Sequence, residues 1–203
     1  MVDRKIWMVV ALAAILWFFT FAVDFGNFWL KISISASVLA IGSLILSKPS
    51  KSDYRISTKS IVIGLASAIV LYGIFYLGNF ISGLLFNFSA GQVGSIYQKG
   101  DGTNPMIITM VLLLITSPAE EIFWRGFLQK NLMKKYGNWM GFIFGTLAYG
   151  LVHVWSMNFM LVGAAMVAGA FWGLLYFRFR NVSMLIISHA VWTFSIFVLW
   201  PIR

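Results

Sequence analysis

The stretch TSPAEEIFWRGFL, residues 116 to 128, sets two adjacent glutamates and an arginine inside apolar sequence. Glu120 and Glu121 are the only glutamates among 203 residues, and His153 and His189 are the only histidines. A carboxylate and an imidazole in a partly dry cavity are what activation of water needs: one group acts as base, and another orients the water or holds the oxyanion. The candidate catalytic residues are therefore Glu120, Glu121, His153 and His189, with Arg125, Tyr149 and Thr193 in support.

Their spacing divides the roles. Glu121 and Arg125 stand at i and i+4 on a helix, so they share a face and can pair, with the glutamate on the favourable N-terminal side. Glu120 points about 100° away and is free for another task. Tyr149 and His153 repeat the i, i+4 spacing, as do His189 and Thr193. Pro118 cannot donate to the carbonyl of Leu114 and is expected to kink the helix, opening space beside the glutamates. A simpler reading of the same residues is a buried Glu121–Arg125 pair that fixes packing, with two hydrogen-bonded interior histidines. Five ionisable groups on three helices of a chain otherwise nearly free of them favour a site. A glutamate with two histidines also matches a zinc ligand set, but the compact H-E-x-x-H arrangement is missing, so neither metal nor other cofactor is expected. Serine, cysteine and aspartyl proteolysis fit less well. There is no cysteine and no G-x-S-x-G, and Asp3, Asp24, Asp53 and Asp101 all fall outside the apolar runs.

The elements that must position these residues are membrane helices. Hydrophobic residues make up 60% of the chain and charged residues 10%, against about a quarter charged in soluble domains. Apolar spans run at about 6–23, 28–47, 60–80, 105–123, 139–156, 159–177 and 182–200, each near the roughly 20 residues that cross a bilayer. Runs such as ALAAILWFFTFAV lack the alternation of a barrel strand. The expected fold is thus an all-α, polytopic transmembrane bundle of seven to eight helices, forming a single domain over 1–203 with a motif-bearing core at 105–195.

The net charge of +9 sits at the ends of apolar runs rather than on a soluble patch, so no nucleic-acid partner is expected. A cytoplasmic N-terminus puts Arg4, Lys5, Lys48, Lys51, Arg55, Lys59, Arg125, Lys130, Lys134, Lys135, Arg178 and Arg180 on the cytoplasmic side, against Lys31, Lys99 and Arg203 on the other. The expected place is a plasma membrane with the N-terminus cytoplasmic, and the first apolar run is expected to stay as an anchor because VDFGN offers no small-residue cleavage site. On this topology Glu121 and His189 lie about 13 and 12 Å deep, and His153 about 21 Å. His153 is the outlier in depth.

Residues 47–60, SKPSKSDYRISTKS, read as a solvated linker, and the glycine-rich stretch 81–105 as a segment along the membrane interface. Gly163, Ala164, Ala168, Gly169 and Gly173 have the spacing that brings helix backbones close. The ten methionines and nine tryptophans read as core filler or lipid-facing residues.

Over residues 105 to 195 the chain resembles the CPBP, or Abi, family, which includes the type II CAAX prenyl endopeptidases. The family pattern is E-E-x-x-x-R, then F-x-x-x-H, then H-x-x-x-N; this chain has Glu120, Glu121 and Arg125, then Tyr149 to His153, then His189 to Thr193. The resemblance implies a prokaryotic intramembrane endopeptidase acting on a peptide or protein substrate, prenylated or membrane-associated, within the lipid bilayer. It implies that Glu120 and His153 activate water while His189 and the residue at Thr193 stabilise the oxyanion. Tyr149 stands where the family has phenylalanine, and Thr193 where it has asparagine, which leaves a single hydroxyl donor. The family also has members acting in bacteriocin self-immunity, so a catalytically silent immunity or interaction protein is the alternative. A transporter is disfavoured by the lack of paired broken helices.

Overall fold

The computed structural model describes residues 2–47 and 49–202, with side chains from Lys5 onward. Three basic residues counted for topology, Arg4, Lys48 and Arg203, lie outside the described side chains, as does Asp3. The described residues form helices and no strand: α1 Val2–Phe21, α2 Phe28–Leu46, α3 Thr58–Leu85, α4 Ser89–Gln98, α5 Pro105–Tyr136, α6 Asn138–Leu151, α7 Phe159–Phe179 and α8 Val182–Leu199. All seven expected spans are helical, and α4 is the addition. By length and apolarity α2, α3, α5, α7 and α8 can each cross a membrane, while the described apolar run of α1, Lys5–Phe21, is shorter.

Polar caps set where the helices begin. Asn27, Asn158 and Asn181 each accept backbone N–H groups at the starts of α2, α7 and α8, and Ser57 with Ser60 forms a reciprocal capping box on α3. These caps fix the register of α7 and α8, and hence of Trp172 and His189.

The long helix α5 carries both glutamates and is not a regular α-helix. Two stretches with wide π-type turns, Val111–Thr116 and Ile122–Gln129, flank a short α-helical piece at Ser117–Glu121. The missing N–H of Pro118 falls next to the first of these, where the Ser117 N–H reaches back to Leu112. The expected disruption is thus taken up by widened turns, which are frequent at functional sites.

The small residues of α7 pack as their spacing suggests. A side chain at Gly169 would strike the Tyr149 ring at 2.9 Å, and one at Gly173 would meet Phe142 at 3.1 Å. The close approach also exposes α7 carbonyls to α5: Arg125 donates to Gly169 O (3.3 Å) and Gln129 to Gly173 O (2.8 Å). Gly163 instead has open space beside it.

Two connections differ from the sequence reading. The segment between α2 and α3 is not simply a solvated linker: Asp53 is buried, pairs with Lys130 of α5, and accepts at its carbonyl from Val182 N, while the Tyr54 carbonyl accepts from Ser183. Burial, helped by the Asp53 charge, pushes the Tyr54 phenol up to about 12. The reason is that the start of α8 leaves donors that the loop carbonyls satisfy, while the Lys130 side chain of α5 brings a cation to the Asp53 carboxylate. The stretch after α3 folds as α4 and is pinned to the start of α7, where Asn158 donates to Gln92 O and Gln92 accepts from Met160 N.

Candidate active site

The Ser117–Glu121 turn of α5 places both glutamates in the interior, pointing different ways. Glu121 is fully buried, and its Oε1 accepts from Arg125 Nη1 at 2.9 Å and from His189 Nδ1 at 2.8 Å. Its Oε2 has no hydrogen-bond partner among the described residues. The i, i+4 ion pair is therefore present, and it is extended by a histidine from α8. Arg125 lies under aromatic faces as well, 4.5 Å from the Tyr149 centroid and 5.4 Å from that of Trp172.

Glu120 takes a separate partner. Its Oε2 accepts from the Tyr149 hydroxyl at 3.0 Å, and Oε1 has no hydrogen bond to a described residue. Tyr149 can do this because α6 presents it across from α5, in the space that Gly169 leaves open.

His153 lies beyond the last turn of α6, on a 3₁₀ turn at Val152–Ser156. Although it was the outlier in depth, His153 lines the same cavity as Glu120. Its Nδ1 meets the Tyr149 carbonyl at 2.8 Å, and a carbonyl only accepts, so Nδ1 carries the proton. Its Nε2 then offers a lone pair, and Trp17 donates to it at 3.3 Å.

On α8 the Glu121 carboxylate fixes a proton on His189 Nδ1, and Nε2 has no hydrogen bond to a described residue. The ring stacks on Trp172, with centroids 3.9 Å apart and planes 21° apart. Thr193, one turn on, bonds back to the carbonyls of His189 (2.8 Å) and Ala190 (3.2 Å) and sits 3.1 Å from Ser117 Oγ. Its single hydroxyl proton is thus engaged with its own helix.

A cavity of about 450 Å³ joins these groups. Glu120, Tyr149, His153, His189 and Thr193 all line it, whereas Glu121 and Arg125 are not among its lining residues and are buried behind it. The rest of the wall is largely aromatic and aliphatic, drawn from α1, α2, α3, α4, α5, α7 and α8, with Lys99 the one lysine among the described residues. The Lys99 ammonium lies over Phe28 at 5.1 Å, and burial, then the Lys31 charge, holds it below the ordinary lysine range. Among the described residues no three of His, Asp or Glu converge as a metal site. Glu121 is occupied by a guanidinium and an imidazole, which suits pairing better than metal ligation.

Several contributors were not singled out in the sequence. Trp17 and Trp172 read there as core filler or lipid-facing residues, and the first apolar run as an anchor, yet each indole touches one of the two histidines. Ser117 and Ser188 carried no signal, because serine is unremarkable in a membrane helix.

A family model described as Rce1-like, type II CAAX prenyl endopeptidase, matches residues 102–195. Over this segment, a little under half of the chain, the protein is similar to the CPBP/CAAX protease family. The matched region runs from just before α5 to within a turn or so of the end of α8 and includes every residue of the constellation. Neither the comparison with curated proteins nor that with solved structures found a match. The similarity to a membrane-protease family model and five helices long and apolar enough to cross a membrane, among the described residues, support an integral membrane protein.

Proposed function

We infer that the protein is an intramembrane endopeptidase in which Glu120 is the general base. The observation that carries this reading is that Glu120, His153 and His189, from three different elements, line one largely apolar cavity. Water held at the free Oε1 of Glu120 gives it a proton and adds to the scissile carbonyl carbon. Doubly protonated, His189 gives Nδ1–H to Glu121 and Nε2–H to the developing oxyanion, a donor aimed where charge appears. The tetrahedral intermediate then collapses, the C–N bond breaks, and the proton held by Glu120 passes to the leaving amine. His153 takes the second hydrogen of the water at Nε2 when the Trp17 N–H yields that lone pair. The family acts on prenylated peptides in membranes, and the apolar wall suits a substrate with an apolar attachment.

The engaged hydroxyl of Thr193 and the occupied Nε2 of His153 favour a second reading, a silent binding or immunity protein on the same scaffold. The two are separated by incubating purified protein in lipid nanodiscs with matched farnesylated and unmodified C-terminal peptides. Mass spectrometry should find new peptide termini, more with the farnesylated peptide. Intact peptides that nevertheless bind would support the silent reading.

A further inference from the structure

The reading of His189 as oxyanion donor requires its ring to be held still, and Glu121 restrains only one edge of it. A histidine ring turns about a broad, roughly two-fold torsion, so one hydrogen bond at Nδ1 leaves Nε2 free to swing. The face of the ring is covered by Trp172, which is fully buried. That indole is itself anchored: its Nε1 donates to Ser188 Oγ at 3.1 Å, and Ser188 Oγ accepts in turn from Ser67 of α3 at 2.9 Å. Ser188 and Ser67 are buried, and neither lines the cavity. The α3 helix can reach this far because Gly64, one turn before Ser67, lets its backbone lie against Met184 and Ile187 of α8.

We propose that Trp172 is a positioning residue, a plate held by Ser188 and Ser67 that fixes the plane of His189 and so aims Nε2 into the cavity. The chain Ser67, Ser188, Trp172, His189, Glu121, Arg125 runs through α3, α8, α7 and α5. Its members are all buried, so each hydrogen bond is made in a low-dielectric setting, where an unpaired donor is costly and pairing is strongly enforced. The inference rests on the endopeptidase reading for its kinetic consequence, whereas the positioning itself is observable without turnover.

The test uses the two-histidine composition of the chain. In full-length protein with labelled histidine there are two ring systems, assigned with His153→Gln. Stacking on an indole displaces the His189 ring protons upfield, so wild type should show one displaced histidine. Ser188→Ala, which leaves the indole without its acceptor, should shrink that displacement. It should also lower kcat by about 10- to 100-fold with KM unchanged, the scale expected when a reacting group is misplaced by a fraction of an ångström to an ångström. Trp172→Phe, which keeps an aromatic face and has no donor, should move both readouts the same way. Adding Ser67→Ala to Ser188→Ala should change nothing further. An undisplaced His189 in wild type, or an unaltered displacement in Ser188→Ala, overturns the proposal. If wild type cleaves no peptide, the endopeptidase reading fails alone and the ring shift still decides whether the plate exists.

Discussion

Tyr149 donates its hydroxyl proton to Oε2 of Glu120 at 3.0 Å, while its backbone carbonyl holds Nδ1 of His153 at 2.8 Å. One residue therefore sets the geometry of both groups assigned to the water. Hydrogen bonds to a charged partner contribute about 1.5–3 kcal/mol, so Tyr149→Phe should lower the melting temperature, and the loss should be smaller in a Glu120→Gln background. Equal losses in the two backgrounds would mean that the contact contributes nothing.

Glu121→Gln should be the variant that damages the fold. It leaves Arg125, 2% exposed, and His189 without their shared carboxylate, and breaking a buried pair costs about 3–5 kcal/mol. Because Glu121 also holds His189 Nδ1, turnover should fall together with stability. Detergent-solution melting with a peptide assay checks this, and a stable Glu121→Gln protein would show the pair to be dispensable.

The i, i+4 logic found Glu121 with Arg125 and the separate heading of Glu120, because that relationship depends only on helical repeat. It gave no sign that His189 would join the pair, since that contact crosses from α5 to α8 and depends on tertiary register. His153 looked too deep by a residue count along its own helix; that it lines one cavity with Glu120 depends on how α6 packs against α5, which such a count does not contain. Trp17 and Trp172 were illegible for another reason. An apolar helix can turn an indole toward lipid or toward a site with the same composition, and only packing decides.

Thr193→Val should have a modest effect. Losing a full oxyanion donor costs about 100- to 1000-fold in turnover, but the Thr193 proton is given to its own helix. A neutral hydrogen bond of about 0.5–1.5 kcal/mol sets the scale, so the fall should be less than about tenfold. A fall of two orders of magnitude would make Thr193 a direct donor to the oxyanion. Thr193→Asn, which restores the family residue and supplies amide donors, should raise turnover.

Activity should survive strong chelators, because the constellation is assigned to water and Glu121 is committed to Arg125 and His189. Loss on chelation with recovery on added zinc would require a different role for the histidines.

The most direct measurement is peptide hydrolysis by wild type and Glu120→Gln, each with a melting curve. The amide keeps the volume and the acceptor for Tyr149, but it cannot take a proton from water. Wild type should cleave, and Glu120→Gln should melt near the wild-type temperature with hydrolysis abolished. Near-normal turnover by Glu120→Gln would contradict the assignment and move the base elsewhere in the constellation.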